Sequence, residues 1–175
     1  MNKLGFNCIA IDQRSGLKAR GIENETHKRA KKKGLATKYP DAIPDLEATI
    51  LYVKDELKAK KIIIWGSSYS AALVLYMGAQ HPDLIDGILS FSPGEYFEID
   101  GKTIVSFVPR IKCPVFITSA KNEHKQWEDF YAQITAKKTS FLPKESGFHG
   151  SKALWFDKKG HAEYWKAVKE FLKAF

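Results

Sequence analysis

Residues 61–70 read Lys-Ile-Ile-Ile-Trp-Gly-Ser-Ser-Tyr-Ser. The first half is a β-branched run too apolar for a sheet with one wet face, so it reads as a parallel strand covered on both sides. The second half is a turn of small residues, and an Ala-rich helix follows from about Tyr69 to Gln80. Strand, sharp small-residue turn, helix is the setting that gives Gly-x-Ser-x-small its chemical meaning. Gly66 and Ser70 are small because strand and helix approach closely there, and Ser68 is held in strained backbone geometry at the strand's carboxyl end. Open α/β sheets bind ligands at that end. The backbone N–H of Tyr69, at the helix N-terminus, is aimed to hold an oxyanion. Ser67 sits one place too early in the turn to be the nucleophile.

The same alternation extends outward in both directions. Residues 6–11 read as a strand ending in the turn Asp12-Gln13-Arg14-Ser15-Gly16. Residues 17–40 are polar and basic and read as a surface excursion. Asp41 is expected to cap a helix reaching about Ala59. Ile43, Leu46, Ile50, Val53 and Leu57 fall on its buried face, and Pro44 lies in the first turn, where its missing N–H costs nothing. Further strands are expected at residues 87–91, 114–118 and 140–142, with helices over residues 125–136 and from His161 to the end. The terminal helix is expected to bury Trp165, Val168, Phe171, Leu172 and Phe175. Alternating strands and helices define an α/β protein with a mostly parallel sheet flanked by helices. No repeat or linker divides the chain, so residues 1–175 form a single domain.

Composition narrows the function. Apolar residues make up 44% of the chain, enough for a sizeable core. Only Cys8 and Cys113 occur, which argues against a disulfide scaffold and for a reducing, cytoplasmic setting. No apolar run approaches the roughly 18 residues of a membrane span, so no membrane partner is expected. The net charge of +8 is concentrated at Lys28, Arg29, Lys31, Lys32 and Lys33. No aromatic residue interleaves with them, so the run reads as a solvated face and no nucleic-acid partner is expected. The five histidines show no metal-ligand spacing, so neither a metal nor another cofactor is expected.

The motif at residues 66–70 and the segments around it resemble the α/β-hydrolase superfamily. Within it, the resemblance is to the compact esterase branch of dienelactone hydrolases and prolyl-oligopeptidase-like peptidases. It covers nearly the whole chain, with Ser70 in place of the usual second glycine. It implies a triad in the order serine, acid, histidine. The segment from Cys113 to Glu123 resembles the family's acid-bearing strand and loop, with Glu123 where an aspartate is usual. Glu95 is a rival acid, shortly after the strand at residues 87–91. Gly147-Phe148-His149-Gly150 matches the family's histidine loop. His27, His81, His124 and His161 fit that role less well.

The resemblance thus implies a serine hydrolase of small carboxylic esters or related acyl compounds, through an acyl-enzyme on Ser68. Thioesterase and peptidase versions of the chemistry remain open, as does a non-catalytic binding module of the same fold. The family's first strands, and the His-Gly loop that gives a second oxyanion donor, have no counterpart ahead of residues 6–11. Truncation at the N-terminus is the expectation, with an edge supplied by another chain as an alternative. Losing one oxyanion donor lowers turnover on the order of 100–1000-fold. Twenty residues separate Ser92 from Cys113, too few for a large lid. Tyr96 and Phe97 in that stretch are candidate walls of an acyl pocket.

Overall fold

The computed structural model describes residues 1–175. Four parallel strands run in chain order: β1 (Ile63–Ser67), β2 (Gly87–Phe91), β3 (Val115–Thr118) and β4 (Lys138–Phe141). Helices α1 (Glu25–Lys32) and α2 (Ile43–Asp55) precede β1. Then α3 (Tyr69–Gln80) links β1 to β2, α4 (Glu128–Gln133) links β3 to β4, and α5 (His161–Leu172) closes the chain.

The period of two along each strand sorts side chains onto two buried layers. Ile88, Val115 and Ile117 point to the larger core, with Ile50 of α2 and Val74, Leu75 and Met77 of α3. Leu89, Phe91 and Phe116 point the other way, onto Tyr164, Val168, Phe171 and Leu172 of α5. Because β2 and β3 are covered on both faces, they carry apolar residues at nearly every position. Fully burying one such side chain contributes roughly 1.5–3 kcal/mol. Helix α3 is buried nearly all round, from Ala71 to Ala79, because it lies between the sheet and α2.

Several expectations are corrected. Residues 6–11 form no strand, and no residue from 6 to 12 makes a backbone–backbone hydrogen bond. The only ladder partner of β1 is β2, and residues 6–11 pair with no strand. Ile9 and Ile11 are exposed as a result. For the same reason β1 is an edge strand rather than a central one, and Ile63, Ile64 and Trp65 are only half-buried. It also sits two residues later than expected, ending directly at Ser68. Asp41 does not cap α2. It lies in a 3-10 turn over Pro40–Ala42 and its carboxylate accepts from the Lys38 N–H at 2.6 Å. Helix α2 stops at Asp55, which leaves Leu57 exposed. The helix expected over residues 125–136 is a 3-10 turn, Lys121–Gln126, followed by the short α4. Burial of Trp127, whose Nε1 donates to Ser119 Oγ at 2.8 Å, fixes the break between them. In α5, Val168, Phe171 and Leu172 are buried as expected and Trp165 only partly so, while Phe175 lies past the helix end and is partly buried.

Candidate active site

The strand register brings Ser67, Phe91, Thr118 and Phe141 to one row at the carboxyl end of the sheet. The next residues, Ser68, Ser92 and Ser119, start the loops that carry the candidate site. Ser68 has φ 60° and ψ −131°, a region that L-residues enter only under strain. The neighbouring glycine explains how the turn is possible. A Cβ on Gly66 would lie 2.0 Å from the carbonyl oxygen of Ser70, so only glycine lets the strand and α3 meet. At the positive end of α3 the Ala71 N–H donates to the Ser68 carbonyl at 2.8 Å, while the Tyr69 N–H makes no backbone hydrogen bond.

Glu123 and His149 lie far apart in sequence and meet in space. His149 Nδ1 is 2.5 Å from Glu123 Oε1. The other carboxylate oxygen accepts from Ser92 Oγ at 2.6 Å and from the Ala120 N–H at 3.1 Å. The Glu123 side chain is 12% exposed and that of His149 is 50% exposed, so the carboxylate is held inside and the imidazole faces outward. With Nδ1 on the carboxylate, Nε2 is the nitrogen free to exchange a proton with a substrate or nucleophile.

The loop that carries His149 is fastened directly to the turn that carries Ser68. The Ser151 N–H donates to Ser67 Oγ at 2.9 Å, and Trp65 Nε1 donates to Ser151 Oγ at 2.9 Å. Gly150, at φ 63°, packs so tightly that a Cβ there would lie 2.4 Å from Ser67 Oγ. Ser67 is therefore not a spare nucleophile, since its hydroxyl is an anchor for the histidine loop. The Ser68 hydroxyl forms no hydrogen bond to His149 in this conformation and lies beside the phenol of Tyr96 instead. Hydrogen bonds between nucleophile and base are often loose without substrate and tighten when it binds.

Glu95 takes no part in this cluster. Its carboxylate accepts from the N–H groups of Ile104 and Val105 at 2.6 and 2.8 Å, capping a 3-10 turn. Tyr96 donates its hydroxyl to the Ser92 carbonyl at 2.9 Å. Burial raises its pKa, and the neighbouring Ser68 hydroxyl acts in the opposite direction. Phe97 packs edge-on to Tyr39 at 6.4 Å, and Tyr39 stacks on Tyr69 at 4.1 Å. Tyr96 also lines an open cleft of about 550 Å³ with Gly94, Glu95, Lys125, Gln126 and Phe130. Residues 13–15 dock on the same end of α3, through Gln13 to Ser70 Oγ at 3.2 Å and Ser15 to Tyr69 at 3.1 Å. Bidentate contact of Arg14 with Asp45 of α2 holds that turn in place. No group of three or more His, Cys, Asp or Glu side chains is arranged to hold a metal ion.

Sequence reasoning missed four members of this arrangement: Ser92, Ser67, Ser151 and Trp65. Only Ser92 left a trace in the sequence, as a small polar residue ending an apolar strand, the same pattern that singles out Ser68.

A strand–turn–helix with a strained serine, and an acid–histidine pair from later loops, is the layout of the α/β-hydrolase class. The family model for the α/β hydrolase fold matches residues 1–134, and the chain belongs to that family. The match includes Ser68 and Glu123 and ends before His149. Among solved structures, the chain is similar to dienelactone hydrolase from Anabaena variabilis. Identity there is 12% and the TM-score is 0.66, over 88% of this chain and 69% of the other. It is also similar to Est1E from Butyrivibrio proteoclasticus, at 17% identity and TM-score 0.60, over 78% and 70% of the two chains. A third is the Pyrococcus furiosus esterase Pf2001, at 20% identity and TM-score 0.60, over 77% and 62%. At these identities the likeness is one of fold. No curated protein matches the sequence.

Proposed function

We propose that this chain is a serine hydrolase of small carboxylic esters, with Ser68 as nucleophile, His149 as base and Glu123 as its orienting acid. Ser68 Oγ attacks the ester carbonyl carbon while His149 Nε2 takes the hydroxyl proton. The Tyr69 N–H stabilises the negative charge that develops on the carbonyl oxygen. The carbon–oxygen bond to the alcohol breaks, and His149 returns the proton to the leaving alcohol. Water, deprotonated by the same nitrogen, then attacks the acyl carbon, the bond to Ser68 Oγ breaks, and His149 returns the proton to Ser68 as the free acid leaves. Glu123 keeps the imidazole in the tautomer with Nδ1–H and stabilises its charged form.

The observation that carries this reading is the fastening of the His149 loop to the Ser68 turn, with Glu123 at 2.5 Å from Nδ1. Tyr96 and Phe97 are the proposed walls of the acyl site. Est1E is known with ferulic acid bound, so hydroxycinnamate esters belong in the substrate panel beside simple alkyl esters. Cys8 and Cys113 are free thiols, in keeping with a cytoplasmic location, which cell fractionation would check.

Labelling with a fluorophosphonate probe and mapping of the modified peptide tests the reading. Modification at Ser68 that disappears in His149→Ala is the expected result. Modification at another serine, or equal labelling with and without His149, would overturn it.

A further inference from the structure

Ser92 is fully buried, holds φ 56° and stands just past the end of β2, with three polar contacts through its hydroxyl and carbonyl. Its hydroxyl donates to Glu123 Oε2 at 2.6 Å and accepts from the Gly150 N–H at 2.7 Å. Its carbonyl accepts from the Tyr96 hydroxyl at 2.9 Å. One side chain thus touches both the carboxylate that orients the histidine and the backbone amide next to that histidine.

We propose that Ser92 is a positioning residue that sets the geometry of the Glu123–His149 pair and fixes which carboxylate oxygen meets the imidazole. The argument is one of occupied lone pairs. Oε2 accepts two hydrogen bonds, from Ser92 and Ala120, so the carboxylate can turn only one oxygen, Oε1, to Nδ1. The hydroxyl has one proton to give. Because the Gly150 amide is itself a donor, it occupies an oxygen lone pair and leaves that proton for the carboxylate. The bond is therefore directional, and loop and acid are locked to each other through a single oxygen atom. Two further constraints hold that oxygen still. The left-handed backbone turns the Ser92 side chain inward, and the Tyr96 hydroxyl ties down the carbonyl. Threonine would be strained at this φ, whereas glycine suits the backbone but has no hydroxyl. The hydroxyl is therefore the part of the residue that the site requires.

The inference rests on the proposed hydrolase only for its kinetic readout. Proton NMR supplies a readout that needs no turnover. The proton shared by His149 Nδ1 and Glu123 should give a far-downfield resonance in the wild type, absent in His149→Ala. In Ser92→Ala this resonance should broaden or move toward that of an unbound imidazole. Ser92→Cys, which keeps a weak donor and acceptor, should restore it in part. In parallel, kcat should fall about 10- to 100-fold in Ser92→Ala, the range expected for losing a hydrogen bond to a charged group. KM should change less than about threefold, because Ser92 does not touch substrate.

A Ser92→Ala protein with an unchanged resonance and unchanged kcat would overturn the proposal, as would a wild type without the resonance. If Ser92→Ala does not fold, Ser92→Gly repeats the test with a backbone that tolerates φ 56°. Failure of both to fold would make Ser92 a purely structural residue and overturn the proposal too. A wild type that shows the resonance, responds to Ser92→Ala and yet hydrolyses nothing would uphold the positioning role while refuting the hydrolase.

Discussion

Ser68 and Ser92 stand one residue past the ends of neighbouring strands, and both have positive φ, 60° and 56°. Each donates its N–H to the last carbonyl of the next strand. Ser68 reaches Phe91 at 2.9 Å and Ser92 reaches Thr118 at 2.7 Å. The same device therefore operates twice. One last ladder bond is kept while a left-handed residue turns the chain out of the sheet and swings its side chain into the crevice. The first copy carries Ser68, the proposed nucleophile, and the second sets Ser92 against the Glu123 carboxylate.

Strain at Ser68 predicts a gain in stability when it is relieved. A non-glycine residue in this region costs about 1–3 kcal/mol, and glycine gives back part of that gain through unfolded-chain entropy. Ser68→Gly should therefore stabilise the fold by about 1 kcal/mol, while Ser68→Ala leaves it nearly unchanged. Both should lose at least roughly 10⁴-fold in ester turnover. Urea unfolding beside an esterase assay would check both halves. A destabilised Ser68→Gly would mean the turn is not strained.

Glu123 and Glu95 should separate cleanly into activity and stability. Glu123→Ala leaves the imidazole without its orienting carboxylate and should lower kcat on the order of 10³–10⁴-fold. Glu95→Ala removes the acceptor for two N–H groups and should cost about 1–3 kcal/mol of stability, with kcat within threefold of wild type. The opposite ranking in the assay would place the acid at the end of β2 instead.

Gly66→Ala should be the most damaging single methyl in the molecule. Its Cβ would lie 2.0 Å from the Ser70 carbonyl oxygen and 2.4 Å from its carbon, both backbone atoms that cannot step aside. We expect a loss of at least about 3 kcal/mol, because α3 must shift as a whole. Circular dichroism melting of the variant would show it. A melting temperature within a degree or two of wild type would contradict the close approach.

Burial pushes the Cys113 thiol pKa up from 9.0 to about 11. A raised pKa in the folded state means that the fold prefers the neutral thiol. Its contribution is complete below pH 9 and is lost as the pH rises toward 11, because the unfolded chain releases the proton first. The total at stake is up to about 3 kcal/mol. Urea unfolding between pH 8 and 11 should show this fall in wild type and a shallower one in Cys113→Ala. Equal slopes would mean that Cys113 does not titrate differently in the two states.

The sequence was most legible where one residue's surroundings are local. Ile63–Ser67, the turn and α3 are contiguous, and their pattern of apolar, small and apolar residues states the geometry directly. His149 and Glu123 were found through motif resemblance, although they meet only in space. Residues 6–11 were misread because a β-branched run says that a strand is possible, while a strand exists only beside another. Trp127 broke the expected helix over residues 125–136 because its indole is claimed by Ser119 across the core. Ser92, Ser67 and Ser151 escaped notice for a related reason. A serine's role is set by which donors surround it, and these donors, the amides of Gly150 and Ser151 and the indole of Trp65, lie 58 to 86 residues away in the sequence.

The sheet grows in the order of the chain, with each strand pairing only with the one before and the one after. A nascent chain leaving the ribosome therefore lays down the Ser68 turn first, Glu123 second and the His149 loop last. The position of His149 depends on Gly150 and Ser151 being clipped to Ser92 and Ser67, contacts that span 58 and 84 residues. Until α5 is free to close over the sheet, the serine is presented but unassisted. Any esterase activity should thus appear only once the segment through α5 has been made and has packed on the sheet.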